Sequence, residues 1–134
     1  MELRNNQKRI RISGRLLRKE AQRALEALEL GDRTLSVLLT DDPHMALLHQ
    51  QWMGEEGPTD VMSFPLTDAA APALLGDVVI SVETAARRKP RNVLGEVRRY
   101  LIHGILHLAG YHHRTALQRR QMDRLTQRLL RCIL

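Results

Sequence analysis

The sequence predicts an α+β fold in a single domain spanning residues 1–134, and three observations predict it. Strand-like alternation is confined to the stretch before residue 82. Two long helical periodicities follow, so strands and helices are segregated rather than alternating. The 134-residue chain is 43% apolar, enough for one core. The expectation is a central sheet of about four strands with about five helices. With one Trp, one Phe and two Tyr, the core must be built mainly from Leu, Val, Ile, Met and Ala.

Taken in order, Lys8 to Ser13 reads as a short first strand with Ile10 and Ile12 on one side. Ser13 reads as an N-cap, and Leu16, Leu17, Ala21, Ala24, Leu25 and Leu28 then recur at helical spacing up to Gly31. Thr34 to Thr40 alternates as a strand. Asp41-Asp42-Pro43 starts a helix that runs to about Trp52. Gly54 to Thr59 is a loop, Val61 to Leu66 a strand and Asp68 to Ala73 a second loop. Gly76 to Ser81 is a buried-type strand, and a short helix from Val82 to Lys89 stops at Pro90. Asn92 caps a long helix from Val93 to Ala109, which Gly110 ends. The last helix, Arg114 to Leu134, turns Leu117, Leu125, Leu129, Leu130 and Ile133 inward, and its other side is mostly Arg. Trp52 and Met62 read as core, as does Cys132 in its apolar C-terminal run.

The net charge is +6, from 21 basic and 15 acidic side chains. That balance favours a polyanionic partner, with RNA, DNA or anionic lipid as candidates. Cys132 is the single cysteine, so no internal disulfide can form, which fits a reducing cytoplasm. No run approaches the roughly 18 apolar residues of a membrane helix, and the basic N-terminus has no apolar stretch behind it. The expected location is cytoplasmic, with no membrane partner.

Residues 103–113 read HGILHLAGYHH. His103 and His107 stand four apart on the predicted long helix and so share a face. Gly110 lets the chain turn back, so His113 can supply a third nitrogen to the same point. The pair alone is equally a solvated pair or a satisfied core pair. Two features favour a metal: unpaired imidazoles are costly in an apolar helix segment, and the glycine returns the chain to a third histidine. Three neutral imidazoles suit one Zn(2+) per chain and leave a fourth position for water. His112 competes with its neighbour His113 as a ligand. Gly104 follows His103 where a metalloprotease of the HExxH type has Glu, so a peptidase reading loses its usual base. The glycine instead permits close approach of a strand or a substrate. His44 and His49 occupy a separate helix, away from this cluster.

The motif resembles that of the YbeY family of bacterial endoribonucleases and ribosomal RNA maturation factors, whose signature reads HGxLHLxGYDH. Pro58-Thr59-Asp60-Val61-Met62-Ser63-Phe64 is similar to the family's PTDVLSF segment, and Gly76-Asp77-Val78-Val79-Ile80-Ser81 to its GDIxIS strand. The resemblance covers about residues 35–130. It implies a small α+β domain in which His103, His107 and His113 bind one zinc. It further implies hydrolysis of single-stranded RNA, 16S ribosomal RNA 3′-end maturation and ribosome quality control, with ribosomal RNA and the small subunit as partners. The chain departs from the family pattern twice. His112 stands where the family usually has Asp, and Met53 where it has an arginine thought to aid catalysis. Methionine cannot grip a phosphate.

Around this centre, His112 and Tyr111 are candidates for supporting positions beside the ligands, and Asp60 and Ser63 for the opposite wall of a cleft. Arg87, Arg88, Lys89, Arg91, Arg98 and Arg99 are candidate phosphate contacts, each equally readable as part of a solvated face. The C-terminal arginines read as helix solubilisers. So few aromatics leave base stacking a small part of any RNA grip. Three functional readings follow: a zinc-dependent endoribonuclease, a zinc-containing RNA-binding assembly factor without catalysis, and a zinc peptidase or amidohydrolase.

Overall fold

The computed structural model describes residues 1–53, 60–65 and 73–134. Its four strands are β1 (Glu2–Asn5), β2 (Thr34–Thr40), β3 (Val61–Pro65) and β4 (Leu74–Ser81). Its five helices are α1 (Gly14–Ala27), α2 (Asp42–Met53), α3 (Val82–Arg88), α4 (Val93–Leu108) and α5 (Ala116–Ile133). The strands form one mixed sheet in the order β1-β2-β4-β3. β1 and β4 run parallel to β2, and β3 pairs antiparallel with β4, with Ser63 opposite Val78 and Met62 opposite Val79. This is the α+β architecture expected.

Period-two alternation divides the core between the two faces of the sheet. Leu35, Val37 and Leu39 join Val78 and Ile80 in the main core, where α4 contributes Val97, Leu101, Ile105 and Leu108. α1 and α5 pack outside α4, adding Leu17, Leu25, Met122 and Ile133 to the same cluster. Val79 and Met62 point the other way and meet Met45 of α2, with Leu38, Leu48 and Phe64 around them. A central strand covered on both faces is why β4 reads as a nearly continuous apolar run.

Several expectations need correction. The first strand is Glu2–Asn5 rather than Lys8 to Ser13. The buried Gln7 amide donates to the Ile10 carbonyl (2.9 Å) and accepts from the Ile10 amide (3.0 Å). Its side chain thus takes the place of a neighbouring strand and holds 8–13 as a loop. Helix α1 ends before Gly31: Glu29 adopts φ 61° and the Leu30 amide closes on the Leu25 carbonyl at 2.7 Å, a left-handed C-terminal cap on a non-glycine residue. The start expected for α2 at Asp41-Asp42-Pro43 holds, with Asp41 as the cap, its Oδ1 accepting from the His44 amide at 2.9 Å.

Trp52 is exposed, lying a turn beyond Leu48 and reaching only the edge of Phe64, 6.0 Å between centroids. The buried side of α5 runs through Met122, Leu129 and Ile133, which leaves Leu117 and Cys132 on the exposed arc. The loops predicted at Gly54 to Thr59 and from Asp68, together with Leu66 and the Met53 side chain, lie outside the described residues.

Helix α4 sits against the sheet at Gly104. A Cβ there would fall 2.7 Å from Val78 Cγ1 and 3.3 Å from Ser63 Oγ. Gly104→Ala should therefore lift α4 off β4 and destabilise the fold by about 1–3 kcal/mol. The expected readout is a melting temperature lower by roughly 4–12 °C in calorimetry.

Candidate metal centre

His103 and His107 flank Gly104 on the sheet-facing side of α4. One turn beyond them, Gly110 takes φ 101°, with open space around its α-carbon, and the Tyr111 amide closes back on the Leu106 carbonyl at 3.0 Å. That turn returns the chain so that His113 faces the helix. The ring centroids of His103 and His107 are 5.3 Å apart, those of His103 and His113 5.8 Å, and those of His107 and His113 4.8 Å. One ligand atom from each ring lies within 4.8 Å of the other two. Three imidazoles this close, with no carboxylate in the set, make a donor set that suits zinc.

The environment keeps two of these rings in their ligating form. Burial lowers the proton affinity of His103, and the His113 charge adds to that, while Asp60 opposes it. Burial also lowers that of His107, reinforced by His103, His113 and His112. A neutral imidazole has a lone pair to offer a cation.

The three rings open onto a cavity of about 500 Å³ whose wall includes Asp60, Ser63 and His112. β3 supplies the side facing α4. Ser63 Oγ donates to the Gly104 carbonyl at 3.4 Å. Asp60 Oδ1 accepts from the Val61 amide at 2.8 Å, and its Oδ2 takes Arg88 at 2.7 Å. Tyr111 faces away from this cavity; it is 41% exposed and lines a separate depression with Leu28, Leu125 and Cys132. His44 and His49 lie on α2, outside the cluster.

A match to the family described as Endoribonuclease YbeY extends over residues 2–133. The chain belongs to the YbeY family. The match begins at β1 and takes in α1, well upstream of the stretch whose motifs carry the resemblance. Endoribonuclease YbeY of Anaeromyxobacter sp. (strain Fw109-5) is 44% identical over 125 residues, 90% of this chain and 65% of that protein. Its counterpart from Anaeromyxobacter dehalogenans is 46% identical over 82% of this chain and 59% of its own length, and that from Syntrophus aciditrophicus 36% identical over 83% and 74%. This YbeY chain thus spans about 65% and 59% of the two Anaeromyxobacter proteins. The solution structure of TM1509 from Thermotoga maritima superposes with a TM-score of 0.67 at 27% identity, covering 99% of this chain and 89% of that one.

The basic residues before and on α4 turn out to be unequal. Arg98 places two nitrogens on the Glu20 carboxylate, at 2.8 and 2.6 Å, with Glu20 only 2% and Arg98 18% exposed. Arg87 is paired with Asp42, which also accepts from Ser81 Oγ (2.6 Å) and Thr84 Oγ1 (2.7 Å). Arg88 is held by Asp60 and the Tyr100 hydroxyl, and Arg99 stands 3.6 Å from Glu96. Lys89 and Arg91 are exposed, and neither has an ion pair among the described residues. No local pattern marks the pairing of Glu20 or Asp42, because each carboxylate meets its partner about 40 residues or more away along the chain.

Two outcomes follow. Arg98→Ala leaves the buried Glu20 carboxylate without its partner and should cost about 3–5 kcal/mol of stability, seen as a lower denaturant midpoint. The second concerns pH. The lowered proton affinities of His103 and His107 mean that the unfolded chain binds protons first as pH falls below about 6.5. The stability these neutral rings contribute is complete above that pH and is lost on acidification. Metal-free protein should therefore melt at progressively lower temperature below about pH 6.5, and the His103→Ala variant should show a shallower decline.

Proposed function

We propose that this chain is a zinc-dependent endoribonuclease that cleaves single-stranded RNA, acting in the cytoplasm on 16S ribosomal RNA precursors at the small-subunit 3′ end and in ribosome quality control. The observation that carries the reading is the convergence of three imidazoles from α4 and its following turn on one side of an open cavity. Membership of a family described as endoribonucleases supports it. No helix among the described residues is long and apolar enough to cross a membrane.

His103, His107 and His113 would hold the ion, which when bound supplies Lewis acidity and a water activated near neutral pH. The remaining wall groups act on the substrate. Asp60, fixed by Arg88 and the Val61 amide, presents a carboxylate of set orientation beside the rings, suited to receive a proton. His112 stands exposed at the mouth, where an imidazole can both accept and donate. Apolar Val61 and Leu108 on the same wall exclude water from part of the cleft. Lys89 and Arg91 remain available to a phosphate backbone.

A second reading keeps the zinc and loses the reaction, leaving an assembly factor that binds small subunits. It is favoured by one observation: Arg87, Arg88, Arg98 and Arg99 are committed to carboxylates, and Met53 offers no charge.

The test is metal analysis of the purified chain together with cleavage of a labelled single-stranded RNA. The enzyme reading expects about one zinc per chain, and a His107→Ala variant of unchanged circular dichroism whose rate falls by more than the roughly 10- to 100-fold typical of lost supporting partners. Zinc-loaded protein that binds small subunits and leaves RNA intact would establish the second reading instead.

A further inference from the structure

A concentration of uncompensated charge lies on α5, outside the histidine cavity. Residues 114–134 contain six arginines and one acidic residue, Asp123. The segment is strongly basic in a chain whose net charge is +6. Four of the arginines, Arg120, Arg124, Arg128 and Arg131, follow one another at intervals of four, four and three residues, so they form a single stripe along the helix. The stripe lies opposite the buried residues Met122, Leu129 and Ile133, and all four side chains are exposed. From Arg120 to Arg131 it extends about 16 Å. Among the described residues none of the four has a carboxylate partner; Arg131 Nε reaches only the Gln127 carbonyl, at 3.4 Å.

The stripe follows the histidine cluster closely in the chain. α5 starts three residues after His113, and its first turn is fixed by a reciprocal cap between Thr115 and Gln118. Asp123 is close enough to act on His103 electrostatically. Along the chain the end of the stripe nearer the cavity is Arg120, seven residues after His113.

We propose that the arginine stripe of α5 binds the phosphodiester backbone of single-stranded RNA flanking the segment held at the histidine cavity. The inference rests on the RNA-directed reading above and assigns the backbone grip to α5, since the cations around α4 are mostly paired. Guanidinium groups on one exposed face suit phosphate oxygens and leave sequence unread. An acidic protein partner would call for an apolar anchor within the patch; the exposed residues between Arg120 and Arg131 are Gln121, Asp123 and Gln127 besides the arginines, and the exposed Leu117 lies one turn before the stripe.

The experiment compares wild type with the triple variant Arg120→Gln/Arg124→Gln/Arg128→Gln, full length and in EDTA so that RNA is not cut. The probes are fluorescein-labelled oligouridylates of about 30 and about five nucleotides, titrated between about 50 and 200 mM KCl. Loss of three phosphate contacts should reduce the slope of log K against log[KCl] by about 2 for the long probe. Wild type should then lose about 20-fold more affinity than the variant across that range. The short probe should bind both proteins alike, and a triple Arg→Lys variant should keep the wild-type slope. An unchanged slope in the glutamine variant overturns the proposal. So does a wild type that holds the long probe no more tightly than the short one, which would turn attention to an acidic protein surface. Cleavage by zinc-loaded wild type is scored separately: absent cleavage with an arginine-dependent slope refutes the enzyme reading alone, and cleavage with an unchanged slope refutes this one alone.

Discussion

The contact on which the rest depends is the backbone of α4 lying against Val78 with nothing between them but the α-carbon of Gly104. Any side chain at that position would meet β4 within 2.7 Å. Because the helix sits so low, the residues either side of the glycine's turn, His103 and His107, are carried to the line where α4 meets β3. There they are half buried rather than solvated. Two consequences follow from one distance. The rings lose proton affinity, and the cavity acquires a second wall from Asp60 to Pro65. The Ser63 hydroxyl bonded to the Gly104 carbonyl marks where the walls touch.

Electrostatics then divides the cations by position. Those beside α4 help to build the fold. Glu20 crosses from α1 to Arg98, and Asp42 ties the start of α2 to Ser81, Thr84 and Arg87. Asp60 is shared between structure and site, since Arg88 fixes a carboxylate that also faces the metal centre. Of these pairs only Arg98 with Glu20 is desolvated; such a pair holds elements in register, and its net contribution to stability is modest while both partners remain. Helix α5, with Asp123 as its one acidic residue, keeps its arginines unpaired among the described residues.

What was legible in the sequence had a local cause. Helix α4 was bounded closely because Asn92 and Gly110 are strong punctuation, and the histidine spacing placed two rings on one face before any fold was known. Strand β4 announced itself as an apolar run, and β2 by alternation. The first strand was misplaced because Glu2–Asn5 is held by pairing with β2 and not by its own pattern, while Gln7 folds the more strand-like segment into a loop. Leu117 and Cys132 were drawn inward by hydrophobicity, although the buried arc of α5 is set by contact with α1 and α4. Ion pairs were invisible for the same reason: carboxylate and guanidinium are joined by topology, and nothing at either position in the sequence announces the other.

The missing glutamate after His103 takes on meaning in this light. In a helix-borne pair of metal ligands the next residue is the natural place for a base, provided the helix stands clear of its neighbours. Here that place is occupied by the contact with Val78, and a base could not be accommodated without separating α4 from the sheet. On the reading proposed above, a proton-handling group would come from the facing wall, where Asp60 is an anchored carboxylate. A glycine required by packing thus leaves no room for a base after His103 on α4, and the anchored carboxylate beside the histidines stands just before β3. The histidines and the residues preceding that strand must then act as one unit, although more than 40 positions separate Asp60 from His103 in the chain.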